Sequence, residues 1–243
     1  MAAKIELKHK VHVLTKKEEL DSVRVPGKVV VVLDIIFATT TMVTALAHGA
    51  KEIVPVADEQ AARACAGDFP GCVLSGELYA ETLSGFAHPA PLALVAHGIA
   101  GKSVIYSTTN GTVAMTQAAG AARVYCGALL NARRLVEHIV QQHPRETVLI
   151  VCSGSGGNFN FEDFYGAGYF VECLLPHVND LSDAAKAALA LYRHARTPEA
   201  LLDCRVGRMM AARGLAHEVE FACRRDLYPV VPALEHGRLR LVA

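Results

Sequence analysis

The sequence predicts an α/β fold: a three-layer core with a mostly parallel sheet, followed by a helical C-terminal part. The first observation is the run Val29–Leu33, which is apolar and β-branched without polar alternation, as expected of a strand buried on both faces. The second is a repeated succession of strand-like and helix-like segments up to about residue 178. The third is a change from residue 180 to amphipathic helical segments. Such a pattern is typical of helices packed on both faces of a parallel sheet.

The individual elements follow from the same patterns, in chain order. Residues 5–13 alternate weakly and predict an edge strand or an arm, and the KKEE segment at 16–19 predicts a solvated helix start. Strands are predicted at 29–33, 52–56, 72–75, 102–107, 123–126 and 147–152, and two short ones at 230–232 and 238–242. Helices are predicted at 42–48, 58–66, 113–120, 132–143 (capped by Asn131), 161–175, 181–195, 197–214 and 216–226. Pro89 and Pro91 predict a long irregular segment without a helix at 78–102, typical of a lid or binding loop.

Composition narrows the class of protein. Basic and acidic residues balance at 24 each, so no excess positive charge favours nucleic acid or an anionic membrane as a partner. No apolar run approaches the roughly 20 residues that span a bilayer, and the start of the sequence has no signal-peptide core. Seven cysteines without a CxxC pair favour reduced, buried thiols. We therefore predict a cytoplasmic protein with one domain over residues 1–243, with a possible sub-division into 1–178 and 179–243.

Four predicted strands end in polar turns, which are the candidate functional segments. They supply Asp34, Glu77, the turn at 108–112 and the glycine-rich stretch that leads to Glu162 and Asp163. Carboxylates, hydroxyls and an amide are oxygen ligands that suit magnesium facing a phosphate. The alternative for Asp34 is a carboxylate that only caps a turn. Cys152 is interpreted as a core residue rather than a nucleophile, and His88 and His97 as surface histidines rather than pocket groups. The P-loop, GxSxG and GxGxxG patterns are absent from the sequence.

Several segments resemble motifs of the 2-phosphosulfolactate phosphatase family. They are DIIFATTTMVTALAHGA at 34–50, STTNGTVAM at 107–115, CSGSGGNFNFEDFYGAG at 152–168 and ARGLAHEVEFACRRDLYPVVPAL at 212–234. The resemblance extends from about Lys28 to the last residue. It implies a magnesium-dependent phosphatase of an α/β fold that converts 2-phospho-3-sulfolactate to sulfolactate and phosphate. The residues that match family motif positions are Asp34, Thr39, Thr40, Glu77, Asn110, Thr112, Glu162 and Asp163.

Roles are assigned to these positions from their chemistry. We expect Asp34, Glu162 and Asp163 to be catalytic, and Asp34, Glu77 and Asp163 to bind magnesium. We expect phosphate to be bound by Thr39, Thr40, Thr109, Asn110, Gly111, Thr112 and Ser153. The substrate is expected to be a small anionic phosphoester, and a homo-oligomer is compatible with the sequence.

The sequence departs from the family pattern at positions that matter for binding anions. Phe37 and Leu78 stand where the family motifs have arginine, and the segment GFAHPAP at 85–91 lacks three polar residues of the family. Arg205 or Arg208 could supply the lost positive charge. We therefore expect weak or absent turnover of 2-phosphosulfolactate, with the metal and phosphate site retained. One alternative function is that of a non-catalytic relative that binds a small anionic ligand or a protein partner. A second alternative is a phosphatase that acts on a different, less anionic phosphoester.

Overall fold

The computed structural model describes residues 10–78 and 81–242. Its strands are β1 (Lys10–Leu14), β2 (Val29–Leu33), β3 (Glu52–Val56), β4 (Val73–Leu78), β5 (Glu81–Thr82), β6 (Ser103–Ser107), β7 (Arg123–Gly127), β8 (Val148–Cys152), β9 (Asp180–Leu181), β10 (Pro232–Glu235) and β11 (Arg238–Leu241). Its helices are α1 (Ala38–Ala47), α2 (Glu59–Cys65), α3 (Pro91–Ala96), α4 (Gly111–Gln117), α5 (Ala132–Gln142), α6 (Phe161–Leu174), α7 (Asp183–His194), α8 (Glu199–Asp203), α9 (Arg205–Ala212) and α10 (Ala216–Ala222).

The described strands form one mostly parallel sheet in the order β5-β4-β6-β3-β11-β10-β7-β2-β8-β1-β9. Parallel pairings join β1 to β8 and β9, β2 to β7 and β8, and β6 to β3 and β4. The antiparallel pairings join β10 to β11 and β7, β11 to β3, and β4 to β5. The predicted class, a three-layer α/β core with a mostly parallel sheet, is confirmed.

Both faces of the sheet are buried, which explains the apolar run of β2. Val29, Val31 and Leu33 pack into one core cluster together with residues of α5, α6 and α7. Val30 and Val32 point to the opposite cluster, which contains residues of α1 and α4. Consecutive residues of a strand face opposite sides, so a strand covered on both sides has to be apolar throughout.

The hairpin of β10 and β11 lies in the middle of the sheet, between β3 and β7. Because each step across the hairpin is antiparallel, β3 and its parallel neighbours run opposite to β7, β2 and β8. Ion pairs hold the hairpin on both sides. Arg240 Nε donates to Glu52 Oε2 of β3 at 3.0 Å, Arg238 lies 3.5 Å from the same oxygen, and Arg123 of β7 pairs with Glu235. The core cluster that contains Val30 and Val32 also contains Val104 of β6, so both halves of the sheet contribute to one core.

Three local predictions are corrected by the structure. Strand β1 is not an edge strand, because it pairs with both β8 and β9, while residues 5–9 of the predicted strand lie outside the described residues. Pro91 begins helix α3 instead of preventing a helix, since a proline at the first helical position gives up no intrahelical hydrogen bond. The predicted helix 197–214 is interrupted at Cys204, which is extended and accepts the Gly207 N–H at 3.3 Å as the cap of α9. Asn131 is the N-cap residue of α5, as predicted, but its side-chain oxygen accepts the Ala128 N–H at 2.9 Å and no amide of the helix.

The C-terminal part is helical before it returns to the sheet. Helix α7 packs on α6 and on β1, and α8, α9 and α10 contact one another. None of the described helices has the length and the apolar character that are needed to cross a bilayer. The proposed boundary at residue 178 stays a prediction.

Candidate active site

The polar turns converge on a cleft of about 650 Å³. Strand β2 ends beside β8, with Leu33 opposite Cys152, and β4 ends beside β6, with Gly76 opposite Ser107. Side-chain contacts across the cleft connect these two pairs of strand ends. The lining consists of acidic residues (Glu18, Asp34, Glu77, Glu162), cationic residues (Lys17, Arg205), small polar residues and amides (Thr108, Thr109, Asn110, Ser155, Gly156, Asn158, Asn160) and apolar residues (Phe37, Val206, Met209).

Asp34 is fixed at the end of β2 by its own loop. Its backbone N–H donates to Thr39 Oγ1 at 2.8 Å, and its carbonyl accepts the Thr39 N–H at 3.1 Å. Gly111 approaches it from the other strand pair, because a Cβ on Gly111 would lie 2.6 Å from Ala38 Cβ and 3.0 Å from Asp34 Oδ2. Only glycine allows this approach, so the motif around Gly111 brings the two pairs of strand ends together at Asp34.

Burial is the main reason why the pKa of the Asp34 carboxyl is raised from 3.8 to about 7. The negative charges of Glu162 and Glu77 raise this pKa further, while hydrogen bonds from the backbone amides of Ala38 and Gly111 oppose the increase. Asp34 is half-buried and lines the cleft. A carboxyl group that exchanges its proton near neutral pH, in an open cleft, is suited to acid–base chemistry.

The turn after β6 forms one wall of the cleft. The backbone N–H and the hydroxyl of Thr109 donate to Glu77 Oε1 at 3.0 and 3.1 Å. Asn110 Nδ2 donates to Thr109 Oγ1 at 3.2 Å, and its Oδ1 accepts from Lys17 Nζ at 3.1 Å. The predicted phosphate-binding residues Thr109 and Asn110 therefore line the cleft beside the carboxylate of Glu77.

Lys17 lines the cleft, although the sequence analysis does not select it. The KKEE segment forms a single 3₁₀ turn over Lys17–Glu19, and Lys17 is only 6% exposed. Its ammonium donates to Asn110 Oδ1 at 3.1 Å and to the carbonyl of Ser153 at 3.3 Å, and lies 3.0 Å from Glu18 Oε1. These acceptors on two distant turns hold the ammonium in the cleft. The KKEE segment alone does not indicate them, because they are far away in the sequence.

Glu162 and Asp163 are adjacent in sequence but have different surroundings. Glu162 is 3% exposed and lines the cleft, and burial raises the pKa of its carboxyl despite a hydrogen bond from the Cys204 thiol and the nearby charge of Arg205. Asp163 is fully buried, with Oδ1 accepting the Ile35 N–H at 2.9 Å and Oδ2 the Gly154 N–H at 3.0 Å. Asp163 thus joins the loop after β2 to the loop after β8 from below, outside the lining of the cleft.

The other predicted phosphate-binding residues are buried beneath the cleft. Thr39 Oγ1 donates to the Asp34 carbonyl at 3.0 Å, Thr40 Oγ1 to the Ile35 carbonyl at 2.5 Å, and Thr112 Oγ1 to the Thr108 carbonyl at 2.8 Å. These hydroxyls hold backbone turns in place, as serine and threonine side chains commonly do. Ser153 Oγ is buried and has no hydrogen-bond partner among the described residues. The structure thus brings Asp34, Glu77, Thr109, Asn110 and Glu162 into the lining, and it places Thr39, Thr40, Gly111, Thr112, Ser153 and Asp163 around it.

An arginine from the helical part completes the cleft. Arg205, the first residue of α9, donates through Nη2 to Asn160 Oδ1 at 3.0 Å and to Ser155 Oγ. Arg208, one turn further along α9, pairs with Asp203 at 3.3 Å and lies outside the lining. Of the two arginines considered from the sequence, Arg205 is therefore the one that reaches the cleft.

The two family arginine positions also differ in placement. Phe37 lines the cleft, whereas Leu78 is 49% exposed and lies outside the lining. Cys152 is fully buried in the core, and burial raises the pKa of its thiol well above the ordinary value, which agrees with its interpretation as a core residue. Neither His88 nor His97 belongs to the lining of the cleft.

The metal ligands expected from the sequence do not form a compact cluster. Within residues 10–78 and 81–242, no group of three or more histidine, cysteine, aspartate or glutamate side chains is close enough to hold a metal ion directly. Both carboxylate oxygens of Asp163 accept backbone amides. The carboxylates that face the cleft are those of Glu18, Asp34, Glu77 and Glu162.

Sequence comparisons identify the family of the chain. A family profile described as 2-phosphosulpholactate phosphatase matches residues 14–237. A probable 2-phosphosulfolactate phosphatase of Carboxydothermus hydrogenoformans is 34% identical over 95% of this chain and 96% of its own length. Proteins with the same name from Deinococcus radiodurans and Clostridium tetani are 35% and 28% identical, over 86% and 95% of this chain and 88% and 99% of their own lengths. The chain belongs to the 2-phosphosulfolactate phosphatase family.

Proposed function

We propose that this protein is a magnesium-dependent phosphatase that hydrolyses 2-phosphosulfolactate or a related small phosphorylated hydroxy acid. The observation that carries the proposal is the Asp34 carboxyl, with a pKa near 7, in a cleft that also contains two cationic side chains. A phosphate monoester is anionic, so its binding requires positive charge, and its hydrolysis requires a group that positions or deprotonates water. Membership of the family supports the same reaction class.

The donor set of the cleft fits magnesium bound partly through water. Four carboxyl groups and two cationic groups line the cleft, so the ionised lining carries excess negative charge that would repel a phosphoester. Burial raises the pKa of Asp34, and repulsion from Glu162 and Glu77 raises it further. A divalent cation would relieve that repulsion. Magnesium typically keeps several waters and uses one or two carboxylates. Asp34, with Glu77 or Glu162, would hold it, whereas the oxygens of Asp163 are already engaged by amides.

The bound ion would neutralise charge on the phosphoryl group and increase the acidity of water. The remaining roles fall to side chains of the chain itself. Lys17, Thr109 and Asn110 form the polar wall beside Asp34 and would contact the phosphoryl oxygens. With the ion bound, Asp34 would be ionised, and its carboxylate could accept a proton from the attacking water. Phe37, Val206 and Met209 form the apolar part of the lining and would limit the access of other water molecules.

The experiment that tests this proposal is a phosphate-release assay with 2-phosphosulfolactate and a panel of phosphorylated hydroxy acids. We expect release that requires magnesium, stops with EDTA and returns when magnesium is added in excess. The control is Asp34→Asn, which keeps the shape of the side chain and removes its charge. Release from no substrate of the panel, combined with binding of inorganic phosphate, would instead identify the non-catalytic alternative.

A further inference from the structure

We propose that Arg205 determines substrate specificity by binding an acidic group of the substrate other than the phosphoryl group, while Lys17 contacts the phosphoryl group. This inference rests on the proposed function for the placement of the phosphoryl group. It assigns the two cations of the cleft to two different parts of one ligand. The ligand class is a phosphoester that carries a carboxylate or sulfonate.

The two cations of the cleft are held by different groups. Lys17 lies in the turn after β1 and donates to Asn110 of the β6 turn at 3.1 Å and to the carbonyl of Ser153, at the start of the loop after β8, at 3.3 Å. Arg205 lies at the start of α9 and binds Asn160, at 3.0 Å, and Ser155, both in the loop after β8. Their hydrogen-bond partners do not overlap among the described residues, so each cation is held in place by its own set of contacts.

The position of Asp34 decides which cation faces the phosphoryl group. Asn110, the partner of Lys17, directly precedes Gly111, whose Cα adjoins the Asp34 carboxylate. The phosphoryl group must lie near Asp34 if Asp34 handles the proton of the attacking water. Arg205 instead binds Asn160, the N-cap residue of α6, which lies two residues before Glu162. A ligand with its phosphoryl group near Asp34 and Lys17 therefore extends its other substituents towards Arg205.

The free donors of Arg205 can bind an acid group. Within the described part of the chain, both hydrogen bonds of Arg205 use Nη2, which leaves Nη1 and Nε available. These two donors lie on different edges of the rigid guanidinium plane, so each can donate a single charge-assisted hydrogen bond to an acid oxygen. The contacts with Ser155 and Asn160 hold this plane in position before the ligand arrives, which lowers the entropic cost of binding.

The ammonium of Lys17 has a different arrangement. Its three acceptors are Asn110 Oδ1, the Ser153 carbonyl and the Glu18 carboxylate, the last at 3.0 Å. Glu18 is 40% exposed at its side chain and lines the cleft, so it can leave when a phosphoryl oxygen takes its place. An ammonium acts as a point charge without the planar selectivity of arginine, which suits the tetrahedral phosphoryl group.

The test uses two phosphonates that cannot be hydrolysed and that differ in one group. 2-Methyl-3-phosphonopropionate carries a carboxylate, and isobutylphosphonate carries a methyl group at the same place. Dissociation constants are measured by calorimetry, with magnesium, for wild type, Arg205→Met, Lys17→Met and the matched control Arg208→Met on the same helix. The discrimination ratio is the dissociation constant of isobutylphosphonate divided by that of the carboxylate ligand.

In wild type we expect a discrimination ratio of about ten or more, the size of one charged hydrogen bond. Arg205→Met should bring the ratio close to one, because it should weaken the carboxylate ligand much more than isobutylphosphonate. Lys17→Met should weaken the binding of both phosphonates about equally, and Arg208→Met should leave both dissociation constants unchanged. Equal weakening of both phosphonates in Arg205→Met, or an unchanged ratio, would overturn the assignment.

A further variant separates the charge of Arg205 from its effect on the loop. Ser155→Ala removes one hydrogen bond of Arg205 without removing the charge, and it should keep most of the discrimination ratio. Complete loss of the ratio in Ser155→Ala would show that loop shape, not Arg205, selects the ligand. Because the phosphonates are not hydrolysed, the ratio is measured independently of turnover. An absence of phosphate release with the expected ratios would refute the proposed function and leave the assignment of Arg205 intact.

Discussion

Replacement of Asp34 by asparagine should remove activity and increase stability at the same time. Burial, followed by repulsion from Glu162 and Glu77, raises the pKa of Asp34 from 3.8 to about 7 in the folded protein. The folded state therefore binds a proton more tightly than the unfolded state does. Below pH 3.8 Asp34 is protonated in both states and does not affect the free energy of unfolding. Between pH 3.8 and about 7 the free energy of unfolding falls as the pH rises, and above about pH 7 this loss is constant.

The magnitude follows from the shift in pKa. A change from 3.8 to about 7 corresponds to about 4 kcal/mol at most, at about 1.4 kcal/mol per unit. The open cleft allows water to screen part of this penalty, so we expect Asp34→Asn to be about 2–4 kcal/mol more stable than wild type at pH 8. For a chain of this size, each kcal/mol raises the melting temperature by roughly 2–4 °C. The amide oxygen of asparagine can still accept a hydrogen bond from the backbone N–H of Ala38 or Gly111.

The assay is urea denaturation of both proteins in EDTA, at pH values from 4 to 8. The two stability curves should coincide near pH 4 and diverge as the pH rises. Magnesium should stabilise wild type more than the variant, because the ion pairs with the ionised carboxylate. The reasoning would be refuted by a variant that is less stable than wild type at pH 8, or by a difference that does not change with pH; either result would assign Asp34 to a structural cap.

Three further predictions concern residues in and around the cleft. Asn110→Ala should weaken inhibition by inorganic phosphate roughly tenfold to a hundredfold, since a hydrogen bond near a charged group contributes about 1.5–3 kcal/mol; an unchanged inhibition constant would make the turn purely structural. Phe37→Arg should tighten phosphate inhibition, because it adds a cation to the lining, whereas Leu78→Arg, outside the lining, should have no effect; equal effects of both would contradict this placement. Asp163→Ala should destabilise the fold by about 2–6 kcal/mol in urea denaturation, because two backbone amides lose their acceptor at about 1–3 kcal/mol each; a stable but inactive variant would instead place Asp163 in the chemistry.

The sequence was most informative where local pattern alone determines structure. The apolar run at 29–33 predicts a strand covered on both faces, and it is β2 with the same bounds. Asp34, Glu77, Asn110 and Glu162 could be selected because each follows a strand or begins a helix beside one. Parallel pairing then places neighbouring strand ends side by side. Long-range geometry had no part in these predictions.

The sequence was least informative where a side chain's role depends on distant partners. Lys17 looks solvated in its own segment, but acceptors more than 90 residues away draw it into the cleft. Glu162 and Asp163 are adjacent acids on one helix, and successive helical residues point in different directions, so only one of them faces the cleft. Thr39 and Thr40 resemble anion-binding hydroxyls, yet nearby carbonyls compete successfully for them. Arg205 comes from a helix that no local motif connects to the cleft.

The central position of the β10–β11 hairpin constrains how this protein can be synthesised and folded. These two strands are translated after all the other described strands, yet they separate β3 from β7 and pair with both. Until they are in place, β3 and β7 each have an unpaired edge, and open edges promote association between chains. The nascent chain therefore cannot complete its sheet during translation of the first 230 residues. A truncation just before β10 would remove no residue that lines the cleft, but it would divide the sheet into two halves with exposed edges.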